Sequence, residues 1–263
     1  MRQGVNKRLA VDALFYIKES GLLDPVLLLR AIVTMEKKID FNGEWSNEYD
    51  DTAPTIIPAY QSIYELSQYL LRDNLQENAK ILVAGAGTGK EIIDCSRNNP
   101  HWCFTGFDTA EAMLSIATQK VAAASLKNKI TLVNGLVDNV IDKDFDAATS
   151  ILVMHFLPDD GTKLSFLKGI ADRVKPGAIF VLVDLEGDTC ADEFTALNAA
   201  WKNQQICTRG DNDRVSEEFR LRETEVQFIP QKRIESLLDE AGFHKIFKFF
   251  KAYLLGGYVA IKR

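Results

Sequence analysis

The chain has 263 residues, 46% of them hydrophobic and 26% charged, which is ordinary for a globular protein of one or two domains and excludes collagen, fibrous repeats and long disorder. Its formal net charge of −6 gives no overall positive field that would draw it to nucleic acid or anionic lipid.

The first fifteen residues carry positive charge but lack the apolar core and small-residue cleavage site of a secretory signal. The most apolar run, 21–34, is broken by Asp24, Pro25 and Arg30 and is too short to span a bilayer. Cys95, Cys103, Cys190 and Cys207 form no CxxC pair, and none of the three histidines is read as near two cysteines in sequence, so no metal site is expected. The thiols read as buried and reduced in a cytoplasmic protein.

Helical spacing over 7–39, interrupted at Gly21 and Asp24-Pro25, predicts two helices. Residues 40–58 are polar with scattered rings and read as a loop or hinge, completing an N-terminal cap or lid over 1–55. Helical spacing resumes over 59–74. Then short apolar runs alternate with helical patterns. Strands are expected at 80–84, 102–107, 130–133, 146–154 and 179–185, and helices at 91–97, 111–125 and 164–174, the last stopped by the turn signal Lys175-Pro176-Gly177. This alternation predicts an α/β fold, a doubly wound Rossmann-like sheet that is mostly parallel, over 56–263. An insertion, 187–223, follows the fifth strand. The tail predicts a strand at 225–229, a helix at 231–241 and an antiparallel C-terminal hairpin of 245–252 and 258–263, with Gly256-Gly257 at its turn.

The sharpest local signal is Gly85-Ala86-Gly87-Thr88-Gly89-Lys90, between the first strand and a helix, where glycines let a ligand approach the backbone at a helix N-terminus. A triphosphate loop needs glycine where Ala84 stands and serine or threonine where Glu91 stands. A nicotinamide fingerprint needs its third glycine where Lys90 stands. Neither fits, and the pattern that remains is G-x-G-x-G. Asp108 ends the second strand 19 residues beyond Gly89, where a carboxylate can accept from both hydroxyls of a ribose.

Together with Gly106-Phe107-Asp108-Thr109-Ala110, Phe145-Asp146, Val174-Lys175-Pro176-Gly177 and the reversed last strand, this resembles class I S-adenosylmethionine (SAM) methyltransferases. The resemblance implies SAM as cofactor, S-adenosylhomocysteine as product and no metal. It implies that Gly85, Ala86, Gly87 and Gly89 face the amino-acid end of SAM and that Asp108 holds the ribose, flanked by Thr109 and Ala110. Gly135 and Leu136 would cover the adenine, and Ile151 would lie beside the sulfonium. The family often carries an acid where Val83 stands and an aspartate where Leu136 stands, so both ends of the ligand are anchored differently here. Tyr60, with Trp45 and Tyr49, belongs to the segment that in relatives folds over SAM, where rings can contact a cation; the alternative is that all three rings dock the N-terminal helices on the core.

His155, after the fourth strand, is the candidate base, and Glu186, with Asp184, borders the same crevice from the fifth. The alternative for His155 is a histidine satisfied by neighbouring backbone, and for the acids, solvated strand caps. The implied function is methyl transfer from the sulfonium to a nucleophile on a small-molecule acceptor. The insertion's Arg209, Arg214, Arg220 and Arg222 are balanced by Asp211, Asp213, Glu217 and Glu218, which favours a mixed solvated cover over an RNA groove. The lysines and rings of 245–251 could touch RNA, but edge-strand protection explains them as well.

Pro58-Ala59-Tyr60, Met154-His155-Phe156-Leu157 and the Ala241-Gly242-Phe243 to Gly256-Gly257 ending are also similar to the tRNA wobble-uridine carboxymethyl transferases. That resemblance implies a carboxylated SAM and an arginine in the insertion, for which Arg220 lies near the required place. A third reading is a SAM-binding protein without turnover, forming a homodimer through the N-terminal helices.

Overall fold

The computed structural model describes residues 40–263; the two helices expected over 7–39, and the dimer arm they would form, lie outside the described residues. The stretch read as a loop is instead helix α1 (Trp45–Ile56). Trp45, Tyr49, Ala53 and Ile56 recur at helical intervals and share one face, and Ala53 on that face is fully buried. Its abundant Asp, Asn and Thr conceal this pattern, as does Pro54, which forfeits one helix bond to the carbonyl four residues back but stands so near the end that little helix follows it. Helix α2 (Tyr60–Asn74) follows.

The alternating core then unfolds as expected: β1 (Lys80–Ala84), α3 (Lys90–Asn98), β2 (Cys103–Asp108), α4 (Glu111–Ala123), β3 (Ile130–Asn134), β4 (Phe145–Ile151), α5 (Thr162–Ala171) and β5 (Val174–Leu185). The insertion forms α6 (Asp192–Arg209) and α7 (Asn212–Glu225), and the tail forms α8 (Gln231–Glu240), β6 (Phe243–Ala252) and β7 (Leu255–Lys262). The seven strands are ordered β3-β2-β1-β4-β5-β7-β6, with β1 to β5 parallel and β7 antiparallel to both neighbours. Strand order reverses between β1 and β4, whose ends meet at Ala84 and Ser150. In doubly wound sheets that reversal opens a ligand crevice beyond the strands' carboxyl ends.

Side chains of β1 alternate between the two faces. Leu82 and Ala84 join Phe107, Leu167, Phe180, Leu237 and Phe243 in one core under α5 and α8. Ile81 and Val83 join Leu71, Ile92, Trp102, Phe104 and Val181 in another under α2 and α3. Each fully buried aliphatic contributes about 1.5–3 kcal/mol, so both faces hold the sheet rigid beneath the crevice.

Several local expectations change. Strand β4 stops at Ile151, because Leu152 turns to φ +62° and a single 3-10 turn (Met154–Phe156) follows. The Lys175-Pro176-Gly177 turn is a bulge inside β5: Val174 pairs with Phe145 and Ile179 with Ala147, so the intervening residues oppose Asp146 alone. Lys175 Nζ holds Asp146 Oδ1 at 2.5 Å across it, and α5 accordingly ends at Ala171. Residues 226–230 pair with no strand. The hairpin turns at Tyr253, with φ +51°, and Leu254, while Gly256 and Gly257 lie inside β7. A Cβ at Gly256 would fall 2.3 Å from Glu186 Oε2, so glycine is required there for space rather than for the turn. Of the thiols read as buried, only Cys95 is; Cys190 and Cys207 are exposed.

Candidate functional site

The loop after β1 is tied to the end of β2. The Gly85 and Ala86 N–H groups both donate to the Phe107 carbonyl, at 2.9 and 3.0 Å. Gly85 has φ +77°, and a Cβ there would fall 2.2 Å from Val153 Cγ2, so a side chain is excluded twice over. Asp108 then spans the crevice floor. Its Oδ2 accepts from Gly87 N–H and its Oδ1 from Ala110 N–H, each at 2.9 Å. Its backbone carbonyl accepts from Gly135 N–H at 2.8 Å, which brings the turn carrying the exposed Leu136 alongside. Thr109 is exposed beside it and Ala110 buried.

This donor set fits an adenosyl ligand. Each Asp108 oxygen keeps a lone pair for a diol after accepting one backbone N–H. At Gly87 a Cβ would meet nothing within 4 Å, so the loop leaves open space where a ligand's backbone contacts would form. Ile151 is buried against Ile63 and Val183 at the end of β4.

Helix α1 is clamped over this floor. Asp50 Oδ1 accepts from the hydroxyl of the buried Thr88, in the loop, at 2.6 Å, and Asp50 Oδ2 from Lys120 Nζ, on α4, at 2.7 Å. Asn42 Oδ1 accepts from Ala112 N–H at 3.1 Å. The far end of α1 is held by the insertion: Ile56 O accepts from Trp201 Nε1 at 3.0 Å and Gln205 Nε2 at 2.7 Å. Tyr60 is buried with its ring edge-on to Tyr64, 5.1 Å away, and 5.8 Å from Lys90 Nζ. Burial pushes its hydroxyl pKa up to about 12. A cavity of about 590 Å³ lies nearby, lined by Tyr64, Gln68, Glu91 and Asp94, and neither Asp108 nor His155 borders it.

His155 is buried, and its Nδ1 meets Asp184 Oδ1. The Asp184 carboxylate also accepts from the His155 backbone N–H at 3.2 Å and from Leu185 N–H at 2.8 Å. With Nδ1–H donating to the carboxylate, Nε2 is left as an acceptor. Beneath the pair, the fully buried Lys163 donates from Nζ to Met154 O at 2.7 Å, and desolvation lowers its pKa against the raising influence of Asp184. Neither Asp184 nor Glu186 is a solvated cap: they are 0% and 5% exposed. Glu186 belongs to a separate network, accepting from Lys248 Nζ at 2.5 Å and from the Tyr258 hydroxyl, and thereby joining β5 to β6 and β7.

In the insertion, Arg209 and Arg214 pair with Glu218, and Arg220 with Glu217. Arg222 differs. Its guanidinium lies 3.9 Å from the Trp201 ring centroid and 3.7 Å from that of Phe219, with one amino group on Asn198. Its Nε is buried without a partner, and desolvation lowers its pKa to about 9.

The structure thus brings together the loop with Asp108, Ala110 and Gly135, and separately His155 with Asp184, whereas Glu186 joins Lys248 and Tyr258, Tyr60 packs on Tyr64, and Ile151 on Ile63 and Val183. Sequence reasoning missed Asp50, Thr88, Lys120 and Asn42, whose partners lie dozens of residues away. Arg222 had no signal separating it from its neighbours. Among the described residues, no group of three or more His, Cys, Asp or Glu could hold a metal ion, and no helix is long and apolar enough to cross a membrane.

A family model described as a methyltransferase domain matches residues 82–180. The carboxy-S-adenosyl-L-methionine synthase of Campylobacter fetus is 25% identical over 149 residues, which cover 56% of this chain and 62% of that protein's length. The synthase 1 of Yersinia pseudotuberculosis is 24% identical over 234 residues, covering 83% of this chain and 93% of its own. Among solved structures, the magnesium protoporphyrin IX methyltransferase of Synechocystis with bound S-adenosylhomocysteine superposes with TM-score 0.62 at 15% identity, covering 89% of this chain and all of that one.

Proposed function

We propose that this chain, which carries a class I methyltransferase domain, moves the methyl group of SAM to a nucleophile on a small-molecule acceptor. The observation that carries the reading is the Asp108 carboxylate bridging Gly87 and Ala110 at the open end of the glycine loop. In this reading Gly85, Ala86, Gly87 and Gly89 receive the amino-acid end of SAM and Asp108 takes the ribose diol between Thr109 and Ala110. Gly135 and Leu136 border the adenine, Ile151 backs the sulfonium, and Tyr60 closes the site from α2. When bound, SAM supplies an activated methyl group: the acceptor's lone pair forms the new bond to carbon while the C–S pair passes to sulfur, leaving a neutral thioether.

The protein's own task is to align the acceptor, exclude water and take a proton. Alignment can account for about 7–11 kcal/mol of a barrier. His155 is the base: Asp184 fixes its tautomer so that Nε2 receives the acceptor's proton as attack proceeds. Glu186, engaged with Lys248 and Tyr258, anchors the hairpin beside the site. Four free thiols suit a reducing, cytoplasmic setting. Calorimetry with SAM tests the reading. A charge-assisted hydrogen bond contributes about 1.5–3 kcal/mol, so Asp108→Ala should weaken SAM at least about tenfold. Unchanged affinity in that variant refutes it.

Arg222 supports a second reading, in which the cofactor carries an extra carboxylate. Arg220, expected to pair with that group, is engaged by Glu217, whereas Arg222 lacks an acidic hydrogen-bond partner. Relatives named carboxy-S-adenosyl-L-methionine synthases fit this reading only in part, since a synthase forms the carboxylated molecule rather than drawing on it as donor. Mass spectrometry of the adenosyl ligand that copurifies with the protein separates the two.

A further inference from the structure

We propose that the acceptor bound beside His155 is a flat aromatic molecule bearing an ionisable hydroxyl. This rests on the SAM-binding reading and names its second substrate. Four rings form a continuous row. Trp45 and Tyr49 lie 6.3 Å apart at 87°, Tyr49 and Phe41 6.4 Å apart at 64°, and Phe41 and Phe156 5.3 Å apart at 75°. Phe156 in turn lies 4.1 Å from the His155 imidazole. Tyr49, the second ring of the row, has its hydroxyl pKa raised by burial first, then by Tyr60 and Asp50, with Asp108 close enough to add to the same direction. The row therefore links the neighbourhood of Asp108, at Tyr49, to the His155 imidazole, at Phe156.

Contacts other than these rings also anchor α1. The Asp50, Asn42 and Ile56 contacts already hold that segment to the loop, to α4 and to the insertion. All four rings remain partly accessible, so each keeps surface that a ligand can cover. Trp45 Nε1 is buried with no acceptor, and an unpaired buried N–H is costly unless something meets it. An aromatic guest beside His155 continues the edge-to-face sequence from Phe156, which adds to burial alone, while its hydroxyl proton passes to His155 Nε2. A saturated guest of the same outline gains area only.

Calorimetry in the presence of S-adenosylhomocysteine, with 2-naphthol and decahydro-2-naphthol as probes, tests this without turnover. 2-Naphthol should bind at least about tenfold more tightly than its saturated counterpart. Phe41→Leu and Trp45→Phe should each weaken 2-naphthol about fivefold or more while S-adenosylhomocysteine affinity stays within about twofold. Equal binding of the two probes overturns the proposal. So do variants that weaken S-adenosylhomocysteine instead, since the rings would then serve the cofactor, and so does binding of neither probe by a protein that still takes S-adenosylhomocysteine. If S-adenosylhomocysteine itself does not bind, the SAM-binding reading fails rather than the acceptor class.

Discussion

Glu91 lies in the first turn of α3, directly behind the glycine loop, and is only 9% exposed. Burial raises its carboxyl pKa from the ordinary 4.5 to about 7, with the Thr149 hydroxyl pulling weakly the other way. Between these two values the unfolded chain releases a proton that the folded chain keeps. Stability therefore falls as pH rises through that window and levels off above it. At about 1.4 kcal/mol per pH unit, the full loss is about 3 kcal/mol. Glu91→Gln keeps the shape and removes the titration. In urea unfolding followed by circular dichroism, the variant should match wild type near pH 4 and exceed it near pH 8 by up to about 3 kcal/mol. A stability difference that is independent of pH, or that grows toward acid, would refute the reasoning.

Three further outcomes follow from contacts in and beside the site. Asp184→Asn should leave SAM affinity within about twofold but slow methyl transfer, read as formation of S-adenosylhomocysteine, by about a hundredfold in steady-state assays, because the His155 tautomer is no longer fixed. Equal slowing and loss of SAM binding would mean that Asp184 supports the fold rather than the base. Gly256→Ala forces a Cβ onto Glu186 and should cost about 1–3 kcal/mol in denaturant unfolding; wild-type stability would show that the Glu186 network gives way freely. Asp50→Ala removes both anchors of α1 on the cofactor side and should speed SAM dissociation about threefold or more in stopped-flow measurements; an unchanged rate would exclude α1 as a cover.

The parallel core was legible because its signals are local. The 80–84 run, the glycines behind it and Asp108 each declare themselves within a few residues, and the fold brings the glycines and Asp108 into contact. What escaped was decided at a distance. α1 looked like a loop because its polar residues outnumber its apolar ones, yet Asp50 has its partners on the loop and on α4. The Gly256-Gly257 pair looked like a turn because glycine has two uses, positive φ and missing bulk, and sequence cannot tell which applies. Asp184 and Glu186 looked alike, two acids closing one strand. Only the fold separates them, giving one to a histidine and the other to a lysine and a tyrosine.

The two ends of the α6–α7 insertion are stitched in place: Gly187 N–H donates to Ile229 O at 3.0 Å, and Gln227 N–H to His155 O at 2.8 Å. Departure and return posts are thus fixed whatever lies between them. Doubling the length of such a closed excursion costs only about 0.6 kcal/mol, so this stretch can be rewritten or lengthened while the sheet beneath keeps its register. Divergence among close homologues should pool there, letting the choice of second substrate drift on a donor platform that stays constant.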